Sequence, residues 1–207
     1  MSGKYWKLVH TAVQHVRTKT LSDEYLNWIC FANAGMLSRG NIYSMNHAIK
    51  NLPTDDPVVE VGSFCGLSTN AMSYLLSAHG RENSIITSDK WLFEGAERGG
   101  CLGDSQILHS EYREFVKSSF MRNVEFFSPH NKSYAIEEIS DDFFGLWKRG
   151  ATTQDVFGRS IQLGGKISFC YIDGNHTYAF ARRDFENVDQ YLELGGFVLF
   201  DDSSDEG

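Results

Sequence analysis

Apolar positions along this chain follow two rhythms, and each change of rhythm marks an element. From 4 to 51 the spacing is helical. Trp6, Val9, Val13 and Val16 recur at three to four, and Tyr25, Trp28, Ile29 and Ala32 follow the capping signal Ser22-Asp23-Glu24. A short helix is expected over 42–50, stopping before Pro53. Val58-Val59-Glu60-Val61, after Pro57, reads as a buried strand. Leu67, Ala71, Leu75 and Ala78, spaced by four, four and three, then form a helical stripe. Ser84-Ile85-Ile86-Thr87-Ser88 is a second strand ending at Asp89, and 92–103 is a glycine-rich, polar loop. Next come a helix over about 104–120, a third strand Asn123-Val124-Glu125-Phe126-Phe127 and a short helix near 134–139. The stretch 141–165 is longer than a usual connection and reads as an insertion that shapes either a substrate pocket or a subunit interface. Ile167-Ser168-Phe169-Cys170-Tyr171-Ile172 is the fourth strand, ending at Asp173. Ala181, Phe185, Val188 and Leu192 carry a helix that Gly195-Gly196 ends, and Gly196-Phe197-Val198-Leu199-Phe200 is the fifth strand, capped by Asp201-Asp202.

Strands alternating with helices define an α/β fold: a Rossmann-like, doubly wound sheet of mainly parallel strands with helices on both faces. At 207 residues the chain suits a single domain, 1–207, with a helical N-terminal extension over 1–52 and a core over 53–207. A content of 42% hydrophobic and 14% aromatic residues indicates a folded core. The net charge of −8, from 19 basic and 27 acidic residues, argues against a nucleic-acid partner, which would demand a basic face. Cys30, Cys65, Cys101 and Cys170 form no C-x-x-C pair and read as reduced thiols of a cytoplasmic protein. No apolar run approaches the roughly 20 residues of a membrane span, and the N-terminus lacks a signal core.

The chemistry gathers at strand ends. The turn after the first strand is Glu60-x-Gly62-x-x-x-Gly66, with Ser68 and Thr69 in the first helical turn. A dinucleotide fingerprint is G-x-G-x-x-G, and an acid two residues before the first glycine would repel a pyrophosphate while suiting a cation or an amine. Asp89, 27 residues beyond Gly62, stands where an acid accepts hydrogen bonds from both ribose hydroxyls. Trp91 either covers an adenine or packs. Adjacent parallel strands lie about 5 Å apart, so Asp173 and the Asp201-Asp202 pair should meet at the rim that carries the glycine turn. Three crowded carboxylates repel unless a cation sits among them, and hard oxygen donors without thiolates favour Mg²⁺, Mn²⁺ or Ca²⁺ over zinc. His176, three residues after Asp173, faces the same rim, and imidazoles as a class accept protons near neutrality. The N-terminal helices either pack on the sheet edge or provide a lid over a substrate or a dimer contact, and 41–45 is the candidate stretch for a lid.

The Glu60-x-Gly62-x-x-x-Gly66 turn resembles the first motif of class I S-adenosylmethionine-dependent methyltransferases. Tyr171-Ile172-Asp173-Gly174-Asn175-His176-Thr177-Tyr178, the helix with Asp184, and Leu194-Gly195-Gly196-Phe197-Val198-Leu199-Phe200-Asp201-Asp202 are similar to the metal-dependent O-methyltransferases of the catechol and macrolide-sugar type. The likeness spans roughly 55–90 and 167–202. It implies S-adenosylmethionine and a divalent cation, Mg²⁺ foremost, as cofactors. Glu60 would place the amino group of the cofactor, with Gly62, Ser63, Gly66, Ser68 and Asp89 holding it. Asn131 and Ser133 stand in 128–133, where the family places adenine contacts. Asp173, Asp201 and Asp202 would hold the ion, with His176 as base and Asp173 beside it in the catalytic centre. The implied partner is a small-molecule hydroxyl: a sugar, a phenol or another natural product. The family continues past the fifth strand with a helix and an antiparallel pair, whereas this sequence stops at Gly207. Missing C-terminal strands are therefore expected, and an open 197–200 edge would invite a second copy, a homodimer. Rival readings are a metal-independent N- or C-methyltransferase of the same fold and a non-catalytic adenosyl-binding module. The glycine spacing disfavours a nicotinamide dehydrogenase.

Overall fold

A computed structural model of the chain describes residues 23–93, 96 and 99–201. The Trp6 to Val16 stripe and Asp202 lie outside the described residues. Two helices open the fold, α1 (Glu24–Ala32) and α2 (Arg39–Lys50). The Asp23 carboxylate caps α1 by accepting from the Tyr25 and Leu26 amides at 2.9 and 3.2 Å. Then follow β1 (Val58–Val61), α3 (Leu67–Ala78), β2 (Ile85–Ser88), α4 (His109–Phe127), β3 (Tyr134–Ile136) and α5 (Ser140–Lys148). The rest is a small hairpin, β4 (Thr152–Gln154) with β5 (Ser160–Gln162), then β6 (Ile167–Ile172), α6 (Tyr178–Asp189) and β7 (Leu192–Phe200).

Five strands form one sheet in the order β3-β2-β1-β6-β7, every pairing parallel. Alternation along each strand sends side chains to two cores. Val58, Phe169 and Tyr171 pack with Met45, Ile49, Met72 and Leu76 of α2 and α3. Val59, Val61, Cys170 and Ile172 pack with Phe143, Phe144, Trp147 and Val188 of α5 and α6. A third cluster seats α4 through Val116, Phe120 and Val124 against Trp91, Cys65 and Ala135. The Rossmann-like expectation therefore holds, with helices on both faces. Among the described residues no helix is long and apolar enough to cross a membrane.

Three expectations are corrected. The stretch 123–127 is the last turn and a half of α4, not a strand: Val116, Phe120 and Val124 form its buried stripe while Phe126 is exposed. The third strand is β3, within the stretch expected to be helical. Its three residues are too few to show a period, and pairing with β2 decides their conformation. Gly195 and Gly196 do not end a helix but lie inside β7, because α6 stops at Asp189. Pairing jumps there, from Ile167 opposite Leu192 to Phe169 opposite Phe197, so β7 bulges. A Cβ on Gly196 would stand 2.9 Å from the carbonyl oxygens of both Glu193 and Ser168, which explains the small residue.

The 141–165 stretch does not line the cavity described below; it sends Phe143, Phe144, Trp147 and Leu163 into the core while its hairpin stays largely exposed. Phe143 and Trp147 are buried with ring centroids 5.6 Å apart, and the Trp147 indole donates to the Gly165 carbonyl at 3.1 Å. The hairpin is tied to the amino end of β3: the Arg159 guanidinium donates to the Lys132 carbonyl at 3.1 Å and to that of Ser133. Trp147→Ala is expected to destabilise the fold by about 3–5 kcal/mol in urea denaturation, the usual cost of emptying an aromatic core site. A loss below about 1 kcal/mol would contradict that placement.

Candidate active site

The site is built where β1, β2, β6 and β7 end on one rim, as ligand sites are in open parallel sheets. After Val61 the chain turns through Gly62, Ser63, Phe64, Cys65 and Gly66 before α3 begins at Leu67. Gly62 has φ 82°. A Cβ there would lie 2.1 Å from the Asp173 carbonyl oxygen, so the β1 turn touches the tip of β6 through a position only glycine fills. Gly66 caps α3 with φ 86°, pressed against Phe120 of α4.

Asp89, just beyond β2, holds this turn. Its Oδ2 accepts from the Ser63 and Phe64 amides at 2.8 and 2.9 Å and from the Ser63 hydroxyl at 3.3 Å. Its Oδ1 accepts from the Trp91 amide at 2.6 Å. Burial raises the Asp89 carboxyl above its ordinary value, and the donations from Ser63, Trp91 and Phe64 pull it partly back. The residue as a whole is only half-buried and lines the cavity described below. Trp91 packs on Phe120 at 5.4 Å and donates its indole N–H to the Phe64 carbonyl at 2.9 Å, so it packs while also forming part of the wall.

Glu60 lies beneath the turn and outside the cavity wall. On β1 it points to the α3 side, fully buried, and accepts from the Ser68 and Thr69 hydroxyls, each at 2.5 Å. Both its oxygens fasten the strand to the start of the helix, so in this structure Glu60 supports the turn from below and does not line the cavity. Burial pushes its carboxyl up to about 7; Ser68 and Thr69 oppose the rise and the charge of Asp89 adds to it.

Asp173 ends β6, its amide bonded to the Val61 carbonyl at 2.8 Å, and Asp201 ends β7, its amide bonded to the Ile172 carbonyl at 3.0 Å. Both line one cavity of about 970 Å³, together with Gly62, Ser63, Ser68 and Asp89. His176 stands exposed on its rim, in the turn leading to α6. The Asp201 carboxylate accepts from the Asn41 side chain on α2. Under these tips Tyr171 is buried; burial first, then the charges of Asp173 and Asp201, hold its phenol well above its ordinary value. Among the described residues no group of three or more His, Cys, Asp or Glu side chains is arranged to hold a metal.

Asn131 and Ser133 do not reach this cavity. They precede β3 at its amino end, the opposite rim: Asn131 offers its carbonyl to Ser73 at 3.1 Å, and Ser133 is buried with its carbonyl bonded to Arg159. They were placed by a third strand drawn at 123–127, well before the observed β3 at Tyr134–Ile136. The corresponding wall at the carboxyl end of β3 is Glu138, Ile139 and Ser140. The candidate lid is also displaced. Ile42 and Met45 are buried in the core, and the wall is formed by 34–37, between α1 and α2.

Two wall features were missed. The 34–37 stretch, Ala-Gly-Met-Leu, carries no local signal. Asp184 of α6 is buried, accepts from the Ser140 hydroxyl at 2.5 Å and lines the cavity. An acid four residues before the buried Val188, on the face turned to the sheet, was the signal for it.

A parallel sheet with a glycine turn, an acid at the tip of the second strand and a cavity over the strand ends are features of a Rossmann-like fold, the fold that class I S-adenosylmethionine-dependent methyltransferases share. A model of a family described as a methyltransferase domain matches residues 59–203, and the chain belongs to that family. No curated protein matches the sequence. Among solved structures, the S-adenosylhomocysteine-bound methyltransferase PaMTH1 of Podospora anserina superposes with a TM-score of 0.52 at 13% identity, over 92% of this chain and 69% of that one. The apo structure of CalS11, a TDP-rhamnose 3'-O-methyltransferase of calicheamicin biosynthesis, gives 0.49 at 17%, over 82% and 66%. The O-methyltransferase NovP gives 0.42 at 16%, over 80% and 65%. At 13% identity the likeness to PaMTH1 is one of fold. The chain spans about two thirds of the length of these structures.

Glu60 yields a sign-definite prediction. A carboxyl moved from an ordinary 4.5 to about 7 favours the protonated form in the fold. Its contribution to stability is therefore full below pH 4.5, declines as pH rises towards 7 and stays low above it. The span corresponds to something on the order of 3 kcal/mol. Glu60→Gln is expected to remove that slope and to unfold later than the wild type at pH 8, measured by denaturant titration across pH 4 to 9. Parallel curves for the two proteins would refute the assignment.

Proposed function

We propose that this chain transfers a methyl group from S-adenosylmethionine to a hydroxyl oxygen of a small molecule. The observation that carries the reading is the convergence of the Gly62 turn, Asp89, Asp173, Asp201 and His176 on one cavity. Its volume of about 970 Å³ is at the upper end of the range for small-molecule sites, roomy enough for a cofactor beside an acceptor.

The backbone of the Gly62 turn leaves space for a ligand, and the half-buried Asp89 offers its accessible edge to a ribose while its other lone pairs fix the turn. When bound, S-adenosylmethionine supplies an electrophilic sulfonium methyl. His176 takes the proton of the acceptor hydroxyl as the oxygen–methyl bond forms and the sulfur–methyl bond breaks, leaving the methyl ether and S-adenosylhomocysteine. Asp173 and the turn 174–176 orient the acceptor, and most of the acceleration is positional and electrostatic.

A divalent cation, if one takes part, would be held by Asp173 and Asp201, on adjacent strand tips, with Asp202 next in sequence. Mg²⁺ is commonly held by one or two carboxylates, with water and substrate completing the shell. When bound, such an ion lowers the pKa of the hydroxyl it touches. The second reading is the same transfer without a cation, and it is favoured by the engagement of Asp201 with Asn41.

Isothermal titration with S-adenosylmethionine and S-adenosylhomocysteine, followed by transfer of labelled methyl to a panel of hydroxyl compounds, tests the reading. Both ligands are expected to bind at micromolar strength. His176→Ala is expected to cut kcat roughly a hundredfold or more, with S-adenosylhomocysteine affinity unchanged. Absence of binding by either ligand would end the proposal. Full activity in EDTA would select the cation-free form, and full activity of His176→Ala would remove the base.

A further inference from the structure

We infer that the acceptor is an uncharged compound with an aromatic or otherwise apolar body, not a phosphate- or nucleotide-linked one. The inference rests on the methyl-transfer reading and concerns the part of the cavity that the Gly62 turn and Asp89 leave over.

That remaining wall is apolar and open. Met36, Leu92, Ile139, Tyr178 and Phe180 line it and are 89%, 62%, 47%, 79% and 42% exposed. Large apolar side chains gathered at one cavity mouth are a recognised mark of a ligand or partner surface. Three of the five side chains are long and flexible or flat, which suits a planar body laid between them.

The wall is also built in advance. Asn33, 1% exposed, donates from Nδ2 to the carbonyls of Ala34 and Cys65, each at 2.9 Å, and accepts at Oδ1 from Asn70 at 2.8 Å. Gly35 lies so close to α3 that a Cβ would stand 2.7 Å from that of Leu67. The segment bearing Met36 is thus fastened to the same turn that the cofactor reading uses.

The charge of the described wall disfavours an anion. Among the described residues the cavity is lined by five carboxylates, Asp89, Glu138, Asp173, Asp184 and Asp201, against a single cation, Lys90. Lys90 is already committed, its ammonium 2.9 Å from a Glu138 oxygen and 3.0 Å from the Glu137 carbonyl. Arg183 does not line the cavity; it stacks on the Phe180 ring at 4.5 Å and pairs with Asp141 at 3.2 Å. With no cation bound, a diphosphate brought between Asp173 and Asp201 would meet like charge at close range, and among the described lining residues there is no guanidinium and no uncommitted ammonium to receive it. A neutral hydroxylated ring meets apolar side chains and carboxylates able to accept a hydrogen bond from its hydroxyl.

The test compares two probes on the full chain by titration calorimetry, with and without S-adenosylhomocysteine: 1-naphthol, neutral and apolar, and thymidine diphosphate. 1-Naphthol is expected to bind at least tenfold more tightly than the nucleotide. Tyr178→Ser, at an exposed position that leaves folding intact, is expected to weaken 1-naphthol at least fivefold while S-adenosylhomocysteine affinity stays constant. Equal or tighter binding of thymidine diphosphate, or no binding of 1-naphthol, would overturn the inference. Failure of S-adenosylhomocysteine to bind would strike the methyl-transfer reading instead, because the comparison of the two probes is also made without it.

Discussion

One carboxylate holds the working end of this molecule. Asp89 gathers the amides of Ser63, Phe64 and Trp91 around two oxygens, and two of those three residues sit in the left-handed backbone region, Phe64 at φ 44° and Trp91 at φ 50°. Each such conformation costs a residue with a side chain roughly 1–2 kcal/mol, and it persists only where neighbours over-determine it. Hydrogen bonds to a charged acceptor offset that cost, and the bond from the Trp91 indole to the Phe64 carbonyl closes the loop upon itself. The price is a carboxyl buried against its preference, so the turn keeps its shape as long as Asp89 stays ionised.

The sheet supplies the frame in which this works. β1 and β6 are neighbours in register, and their carboxyl ends are so close that the Gly62 position excludes even a methyl group. That contact sets the turn and the Asp173 tip as one rigid unit. Below it, Glu60 ties β1 to the first turn of α3 through Ser68 and Thr69, so the helix start is fixed from the buried side and the cavity side at once. The two acids divide the labour: Glu60 is buried beneath the turn, and Asp89, beyond the end of β2, stands at the rim.

Much of this was legible because independent signals coincided. A β-branched run, two glycines and a helical stripe agree over 58–78, and six buried residues in succession make β6 plain. Legibility failed where an element is too short to have a period. β3 has three residues, and its neighbour α4 ends on Val124, Phe126 and Phe127, a string that alternates like a strand although its buried member continues a helical stripe from Val116. Asn131 and Ser133 inherited that error. Asp89 was singled out at the rim, but not its amide partners, since a ribose-binding acid and a turn-holding acid have the same sequence signature. The hydroxyls that Glu60 holds were not foreseen, because they lie eight and nine positions further on, and spacing does not say which way a carboxylate turns. The 34–37 wall was invisible: its place depends on the Asn33 and Asn70 network, a contact between distant segments that no local pattern announces.

The acidity of the cavity has a consequence for catalysis on the methyl-transfer reading. The cationic charge of a sulfonium donor is largest in the bound reactant and gone in the product. Carboxylates around it therefore favour the reactant more than the transition state, and by themselves they lower KM without raising kcat. They also weaken the hold on the neutral product, which helps it leave. The rate must then come from elements that do not track the fading charge: the fixed distance between the Gly62 turn and the Asp173 tip, the apolar wall anchored by Asn33, and a proton acceptor at His176. A fold that spends backbone strain to make its turn rigid is suited to that division, since positioning survives the loss of charge and electrostatic attraction does not.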